Sequence, residues 1–99
     1  MAYRIEYAQK SEGHLRLLTA RQRALIFDRI RQQLSYQPTV ETKNRKPMRP
    51  NPLAPWELRV GGFRVYYQAQ DTPERVVQVL AVGIKRHDQV WIGDRRVEL

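Results

Sequence analysis

Two short runs of alternating apolar and polar residues meet at adjacent glycines, Gly61 and Gly62, in the segment WELRVGGFRVYYQA. Period-two alternation is typical of half-buried strands, and two glycines suit the tight turn of a hairpin. The sequence therefore predicts an antiparallel hairpin with the glycines at the centre of its turn. The predicted pairs are Val60 with Phe63, Arg59 with Arg64, Leu58 with Val65, and Glu57 with Tyr66.

This register places Arg59 and Arg64 directly opposite each other on one face of the hairpin. Like charges in that position cost roughly 0.2–1 kcal/mol, so an anion is expected nearby to offset the repulsion. Glu57, one pleat away on the same face, is one candidate. A phosphate group is the other, because a guanidinium binds phosphate oxygens with two parallel hydrogen bonds. Arg64 is the stronger functional candidate, since Arg59 has Glu57 beside it.

Composition limits the class of protein. A chain of 99 residues with net charge +8 is expected to form a single domain, residues 1–99, that attracts polyanions such as nucleic acid, a ribosome surface or an acidic protein. The absence of cysteine argues against a disulfide-stapled secreted protein and a thiolate metal site, so a cytoplasmic location is expected. The longest apolar run, residues 76–84, is too short to span a membrane.

The N-terminal third predicts a strand followed by two helices. Residues 2–7 alternate with Tyr3, Ile5 and Tyr7 on one face, and Ser11 is a candidate cap for a short first helix. Thr19 and Gln22 have the spacing of a capping box, which predicts a longer second helix from Thr19 to about Tyr36. Its expected buried stripe consists of Ala20, Ala24, Phe27, Ile30 and Leu34.

The segment 39–55 contains four of the six prolines, which favour an extended and stiff connector between the helices and the sheet. The segment also holds four cations that are expected beside the arginine pair. These candidate RNA-binding residues are Lys43, Arg45, Lys46 and Arg49. The simpler interpretation is a rigid crossover with no role in binding.

A turn at 71–74 precedes the longest predicted strand, residues 75–84, whose nearly uniform apolar character indicates a central strand covered on both faces. Residues 93–99 are expected to add a short edge strand or to fray. Four further candidate site residues follow Gly83 and are expected to gather at the end of the long strand: Lys85, Arg86, His87 and Trp91.

Motifs for phosphate loops, metal ligands and serine hydrolases are not found, and no metal or organic cofactor is expected. Cleavage of RNA by its own 2′-hydroxyl instead needs a base, positive charge on the phosphate and an acid for the leaving oxygen. Arg59, Arg64 and Lys85 are candidates for the charge, and His87 for proton transfer. Trp91 is a candidate for stacking on a splayed base, or else an aromatic of the core.

The order of elements, together with ELRVGGFRVYYQA and VLAVGIKRHDQVWI, resembles the RelE/ParE superfamily of toxins from bacterial type II toxin–antitoxin systems. The resemblance extends from AYRIEY to about Ile92. It implies an α+β fold in which an N-terminal strand and an antiparallel helix pair precede a three- to four-stranded antiparallel meander in one twisted sheet. It also implies a cognate antitoxin that covers the basic surface, with oligomers expected only in the toxin–antitoxin complex.

RelE-like members of this superfamily cleave mRNA on the ribosome, whereas ParE-like members inhibit DNA gyrase. The resemblance matches Arg64 to the second hairpin arginine of the nucleases, and Lys85 or Arg86 to the cation that follows the glycine. Pro55 and Glu57 stand where the founding nucleases have lysines, and Trp91 stands for a tyrosine. A metal-independent, ribosome-dependent mRNA endoribonuclease is the first expectation. A gyrase inhibitor and a catalytically weak, protein-binding member are the alternatives.

Overall fold

The computed structural model describes residues 2–98, which form two helices and seven strands. The strands are β1 (Arg4–Tyr7), β2 (Arg45–Pro47), β3 (Trp56–Val60), β4 (Phe63–Gln70), β5 (Val76–Arg86), β6 (Gln89–Ile92) and β7 (Arg95–Val97). The helices, α1 (Gln9–Arg16) and α2 (Ala20–Leu34), both lie between β1 and β2 in the chain.

All seven strands belong to one sheet with the order β2-β3-β4-β5-β6-β7, and β1 pairs with β5 outside this path. The first residues of β5 pair with β1 in parallel, and its last residues pair with β6 in antiparallel orientation. The meander is longer than expected because the proline-rich segment contributes β2 and the C-terminal segment contributes β7. The expected α+β fold is confirmed, with β5 as its central strand.

The hairpin of β3 and β4 has the predicted register in all four pairs, including Arg59 opposite Arg64. Gly61 adopts a positive φ of 57°, a conformation that side chains with a Cβ rarely adopt. The alternation of the sequence also sets the two faces of the hairpin. Leu58 and Val65 point into the core under the helices, whereas Glu57 and Arg59 lie on the opposite face.

The main core lies between the helices and one face of the sheet. It includes Leu58, Val65 and Tyr67 from the hairpin, and the N-terminal segment with β1 adds Tyr3, Ile5 and Tyr7 as predicted. Helix α2 begins at the predicted capping box, where Thr19 Oγ1 accepts from the backbone N–H of Gln22. Tyr7 and Phe27 pack edge to face, with ring centroids 5.4 Å apart, and so join β1 to α2.

The predicted stripe of α2 is wrong in its first half. Ala20 and Ala24 are exposed, and Ile26 is fully buried together with Ile30 and Leu34. Ile26, Ile30 and Leu34 are spaced by four, which places them on one buried face of the helix. Arg23 lies on the inner side of the helix, where its Nη1 donates to the carbonyl of Leu18 at 2.5 Å and so binds the end of the α1 segment.

Ser11 does not cap α1, contrary to expectation. The helix begins at Gln9 after Ala8, and the buried Ser11 hydroxyl donates to the Ala8 carbonyl at 2.7 Å within the first turn. Further along α1, His14 Nδ1 accepts from the backbone N–H of Val82 at 3.2 Å. The bond gives the backbone N–H of Val82 a partner at a point where β5 pairs with neither β1 nor β6.

The segment 48–55 covers part of the other face of the sheet. A second, smaller core there consists of Ala54, Tyr66 and Ala81, with Met48 and Leu53 packed against them. The segment therefore does more than connect helix to sheet, because its Met48, Leu53 and Ala54 cover one half of this face. The other half is the open surface that carries the arginines. In the described part of the chain, neither helix is long and apolar enough to cross a membrane.

Candidate functional site

A cleft of about 440 Å³ lies on the sheet face that the helices leave open. It brings together three of the predicted residues, Arg59, Arg64 and Lys85, from the hairpin and from the end of β5. The remaining lining residues are Glu57, Asp88, Gln89, Val90, Arg96, Val97 and Glu98. The cleft is therefore formed by strands β3 to β7, with cations from three separate segments of the chain.

Arg59 and Glu57 form an ion pair in the wall of the cleft. Arg59 Nε lies 3.1 Å from Glu57 Oε1, and the side chains are 47% and 13% exposed respectively. The two residues are separated by one pleat, so they project from the same face of β3. Glu57 is thus the local anion that the arginine pair was expected to need.

Arg64 has different partners. Among residues 2–98, no carboxylate forms an ion pair with it. Its side chain is buried, with only 8% of the residue exposed. Nη1 donates to the carbonyls of Gly61 and Phe63, each at 2.9 Å, and so fixes the guanidinium at the hairpin turn. An oriented cation without a carboxylate partner is suited to bind an external anion.

Lys85 completes the group from the neighbouring strand. Gly83 is the cross-strand partner of Arg64, and Lys85 lies two residues further along β5 on the same face. The backbone N–H of Lys85 donates to the Gly62 carbonyl at 2.8 Å, which ties the end of β5 to the hairpin turn. The exposed ammonium group and the Arg64 guanidinium therefore line one cleft.

Arg96 was not predicted as a site residue, and it lines the cleft from β7. The signal was present in the sequence, because Gly93 and Asp94 form a second two-residue turn, with Ile92 paired to Arg95 and a positive φ of 63° at Gly93. Arg96 Nη2 lies 3.7 Å from the highly exposed Glu98. Recognition of this turn would have placed β7 beside the cleft.

Tyr66 lies behind Glu57 as its cross-strand partner. The residue is fully buried, and its hydroxyl has no hydrogen-bond partner at regular geometry among the described residues. Burial is the main cause that raises the pKa of the Tyr66 phenol, and the nearby Glu57 carboxylate raises this pKa further. The phenol therefore stays protonated and is a donor close to the acid of the cleft.

The other predicted residues of the C-terminal half do not line the cleft. His87 lies in the exposed turn between β5 and β6, next to the lining residue Asp88, and has a positive φ of 58°. Arg86 and Trp91 line a smaller depression of about 170 Å³ together with His14 and Leu17. Because this depression includes α1, it belongs to the helix side of the sheet.

The four cations of the proline-rich segment have separate environments. Arg45 is buried, and its guanidinium donates to the carbonyls of Val40 and Gln33 at 2.9 and 2.7 Å, so it joins α2 to the segment before β2. Lys46 on β2 is the cross-strand neighbour of Glu57 on β3, and its ammonium forms an ion pair with Glu41 at 3.6 Å. Lys43 and Arg49 are exposed. None of the four lines the cleft.

The cleft is suited to hold a phosphodiester. Two of its acids are already paired, Glu57 with Arg59 and Glu98 with Arg96, and Arg64 and Lys85 remain for an external anion. No group of three or more histidine, aspartate or glutamate side chains within residues 2–98 is arranged as metal ligands. The chemistry of the lining residues is therefore that of cations, carboxylates and one phenol behind them.

Comparison with solved structures identifies the fold. A chain of the toxin–antitoxin complex RelBE2 from Mycobacterium tuberculosis superposes with a TM-score of 0.70 at 22% sequence identity, over 86% of this chain and 100% of that chain. No profile of a known protein family matches the sequence, and a search of curated proteins finds no match. The strand, the helix pair and the long meander described above thus have a counterpart of known structure, and the chain has the RelE-like fold.

Proposed function

We propose that this chain is the toxin of a toxin–antitoxin pair and that its cleft cleaves mRNA on the ribosome. The observation that carries the proposal is the position of Arg64, which is almost buried, held by two turn carbonyls, and faces the cleft without a carboxylate partner. The RelE-like fold and the net charge of +8 support the same assignment.

The proposed reaction is attack of the ribose 2′-oxygen on the adjacent phosphorus, with departure of the 5′-oxygen. Negative charge builds on the phosphoryl oxygens in the transition state, and preoriented cations at that position lower its energy. Arg64 is preoriented by its two hydrogen bonds, and Lys85 lies beside it. Arg59 and Arg96 extend the positive surface to the flanking phosphates.

Two proton-transfer candidates lie on the hairpin of β5 and β6. Lys85 lines the cleft, whereas His87 lies in the turn next to it. A general acid must be within hydrogen-bond reach of the oxygen that it protonates, so Lys85 is assigned the leaving 5′-oxygen. His87 is placed at the rim, where it is suited to contact the RNA or the ribosome.

The partners follow from the same surface. A cleft with unpaired cations on a basic domain favours an acidic or amphipathic segment of an antitoxin as the neutralising partner. The mRNA and the ribosome are the proposed targets, so the toxin acts in the cytoplasm. A small acidic protein encoded next to this chain is expected, and its coexpression should restore growth.

Mapping of transcript ends after induced expression tests the function. Codon-phased cuts are expected with the parent chain, and they should disappear with Lys85→Gln, whose exposed side chain is not part of the core. Arg29→Gln on the exposed side of α2 removes one charge far from the cleft and should leave the cuts unchanged. Intact mRNA together with DNA-damage signalling would contradict the proposal and point to inhibition of gyrase.

A further inference from the structure

Three carboxylates line the cleft, and they differ in how firmly the fold holds them. Glu98 follows the last strand with its side chain 88% exposed, and Asp88 lies in the exposed turn between β5 and β6. Glu57 lies within β3, which pairs with β2 on one side and β4 on the other, and its side chain is only 13% exposed. A group that must meet a substrate atom with an accuracy of about 0.5 Å is best placed on such an element.

Two donors lie next to the Glu57 carboxylate. Arg59 Nε binds Oε1 at 3.1 Å. The Tyr66 hydroxyl lies behind the carboxylate, where both the charge of Glu57 and a weak hydrogen bond to it raise the pKa of the phenol. This bond falls short of regular hydrogen-bond geometry, so a small movement of Glu57 toward the phenol completes it.

We propose that Glu57 is the base that removes the proton from the attacking 2′-hydroxyl, an inference that rests on the proposed function. Glu57 Oε2 accepts the proton while the 2′-oxygen forms its bond to phosphorus. The bond from phosphorus to the 5′-oxygen breaks, its electron pair stays on that oxygen, and the Lys85 ammonium donates a proton there. The products are a 2′,3′-cyclic phosphate and a 5′-hydroxyl, and exchange with water restores both side chains.

Two residues position this base. Arg59 Nε binds Oε1 at 3.1 Å, which leaves Oε2 for the 2′-hydroxyl. A phosphate in the cleft competes for the exposed Arg59 guanidinium. The Tyr66 hydroxyl lies behind the carboxylate, so Tyr66 is a positioning residue that keeps Glu57 in place after Arg59 has moved.

The titratable and charged groups around Glu57 come from five strands of this face and from two flanking segments. They are Lys46 on β2, Arg59 on β3, Arg64 and Tyr66 on β4, Lys85 on β5, Asp88 in the turn after β5, Arg96 on β7 and Glu98 after it. The base is therefore surrounded mainly by cations that are suited to bind the phosphates of the substrate.

Single-turnover cleavage of mRNA on purified ribosomes tests the assignment, with binding measured separately on mRNA that carries 2′-O-methyl ribose and resists cleavage. General-base catalysis contributes about 10²–10⁴-fold, so Glu57→Gln should slow cleavage at least about 100-fold. Affinity for the methylated mRNA should stay equal or increase, because a negative charge is removed from the cleft. Glu12→Gln on α1 is the matched control and should cleave like the parent.

Two further variants separate the chemistry from folding. Glu57→Asp keeps a carboxylate but withdraws it, so an intermediate rate is expected. Tyr66→Phe should move the acidic limb of the pH–rate profile and leave affinity unchanged, which a purely structural role would not do. Cleavage by Glu57→Gln within threefold of the parent overturns this inference alone. A parent chain that cuts no mRNA overturns the proposed function and the inference together.

Discussion

Arg59 and Arg64 stand directly opposite each other across the hairpin, yet their guanidinium groups are held by different partners. Arg59 binds the Glu57 carboxylate at 3.1 Å and is half exposed. Arg64 is buried against the turn, where Nη1 donates to the carbonyls of Gly61 and Phe63. The mutual repulsion is thus offset by one carboxylate for Arg59 and by two backbone dipoles for Arg64.

Arg64→Ala should therefore lower the stability of the hairpin as well as any anion binding. The change leaves two turn carbonyls without their charged donor and opens space in a buried position, for which about 1–3 kcal/mol of unfolding free energy is expected. Arg59→Ala should cost less, because the Arg59 side chain is 47% exposed, no turn carbonyl depends on it, and the Glu57 carboxylate stays next to the other cations of the cleft. Urea unfolding of both variants measures the difference, and equal losses would contradict it.

The hairpin is the part of the fold that the sequence specifies most completely. Two glycines fix the turn, and alternation on both sides fixes which residues face the core, so a register error would move all apolar side chains to the open face. The same local information cannot show what the guanidinium of Arg64 contacts. Its partners are carbonyls of the turn itself, and the choice between them and Glu57 depends on packing in three dimensions.

Arg45 illustrates the opposite case, a predicted RNA-binding residue that the fold uses internally. Its guanidinium donates to the carbonyls of Val40 and Gln33 and to the side-chain oxygen of Gln33 at 3.0 Å. Arg45→Ala leaves these acceptors unpaired, so a loss of about 2–4 kcal/mol of unfolding free energy is expected. Thermal unfolding measures it.

Lys43 is the matched control for this change, because it is exposed in the same segment. Lys43→Ala should alter stability by less than about 0.5 kcal/mol. If Arg45→Ala were equally stable and only RNA binding were weaker, the internal role of Arg45 would be wrong.

The salt dependence of RNA binding should report the phosphate contacts of the cleft. Lys85→Gln removes one exposed cation without touching the core, so affinity should fall for all sequences alike, and the slope of log affinity against log salt should decrease by about 1. Lys10→Gln on α1 is the control and should leave the slope unchanged. Fluorescence anisotropy with 2′-O-methyl RNA between low and moderate salt gives both slopes; an unchanged slope for Lys85→Gln would remove Lys85 from the contact surface.

His14 should make stability depend on pH. Burial, and to a lesser degree the charge of Lys10, lowers the pKa of His14, while its neutral Nδ1 accepts the bond from Val82. The unfolded chain, with an ordinary histidine pKa of about 6.5, then binds more protons than the folded chain at mildly acidic pH. The unfolding free energy is therefore full above that value and decreases as pH falls below it.

Urea unfolding between pH 7.5 and 5.5 measures this slope. His14→Gln should flatten it, whereas His87→Gln in the exposed turn should keep the parent slope. A parent chain with constant stability over this range would contradict the assignment to His14.

Two differences between expectation and structure have different causes. The phase of α2 follows the four-residue spacing of Ile26, Ile30 and Leu34, a signal present in the sequence that the predicted stripe through Ala24 did not use. Trp91 lies on the helix side because it pairs with Ile84, a residue of the core-facing row of β5. Their spacing along the chain suggests that Trp91 and Lys85 lie close together. Only the strand pairing shows that their side chains lie on opposite faces of the sheet.

Gly83→Ala is expected to disturb the junction between the arginine face and β6. A Cβ at this position would lie 2.8 Å from the carbonyl oxygen of Trp91 and 3.0 Å from the Ile92 side chain, and the first of these contacts is with backbone that has little room to move. Overpacking of this kind costs about 1–3 kcal/mol. Gly62→Ala is the matched control, because nothing lies within 4 Å of its Cβ position. Thermal unfolding should separate the two variants clearly, and the amide signals of Val90 and Ile92 should shift only in Gly83→Ala; equal stability of the two would show that β6 yields without cost.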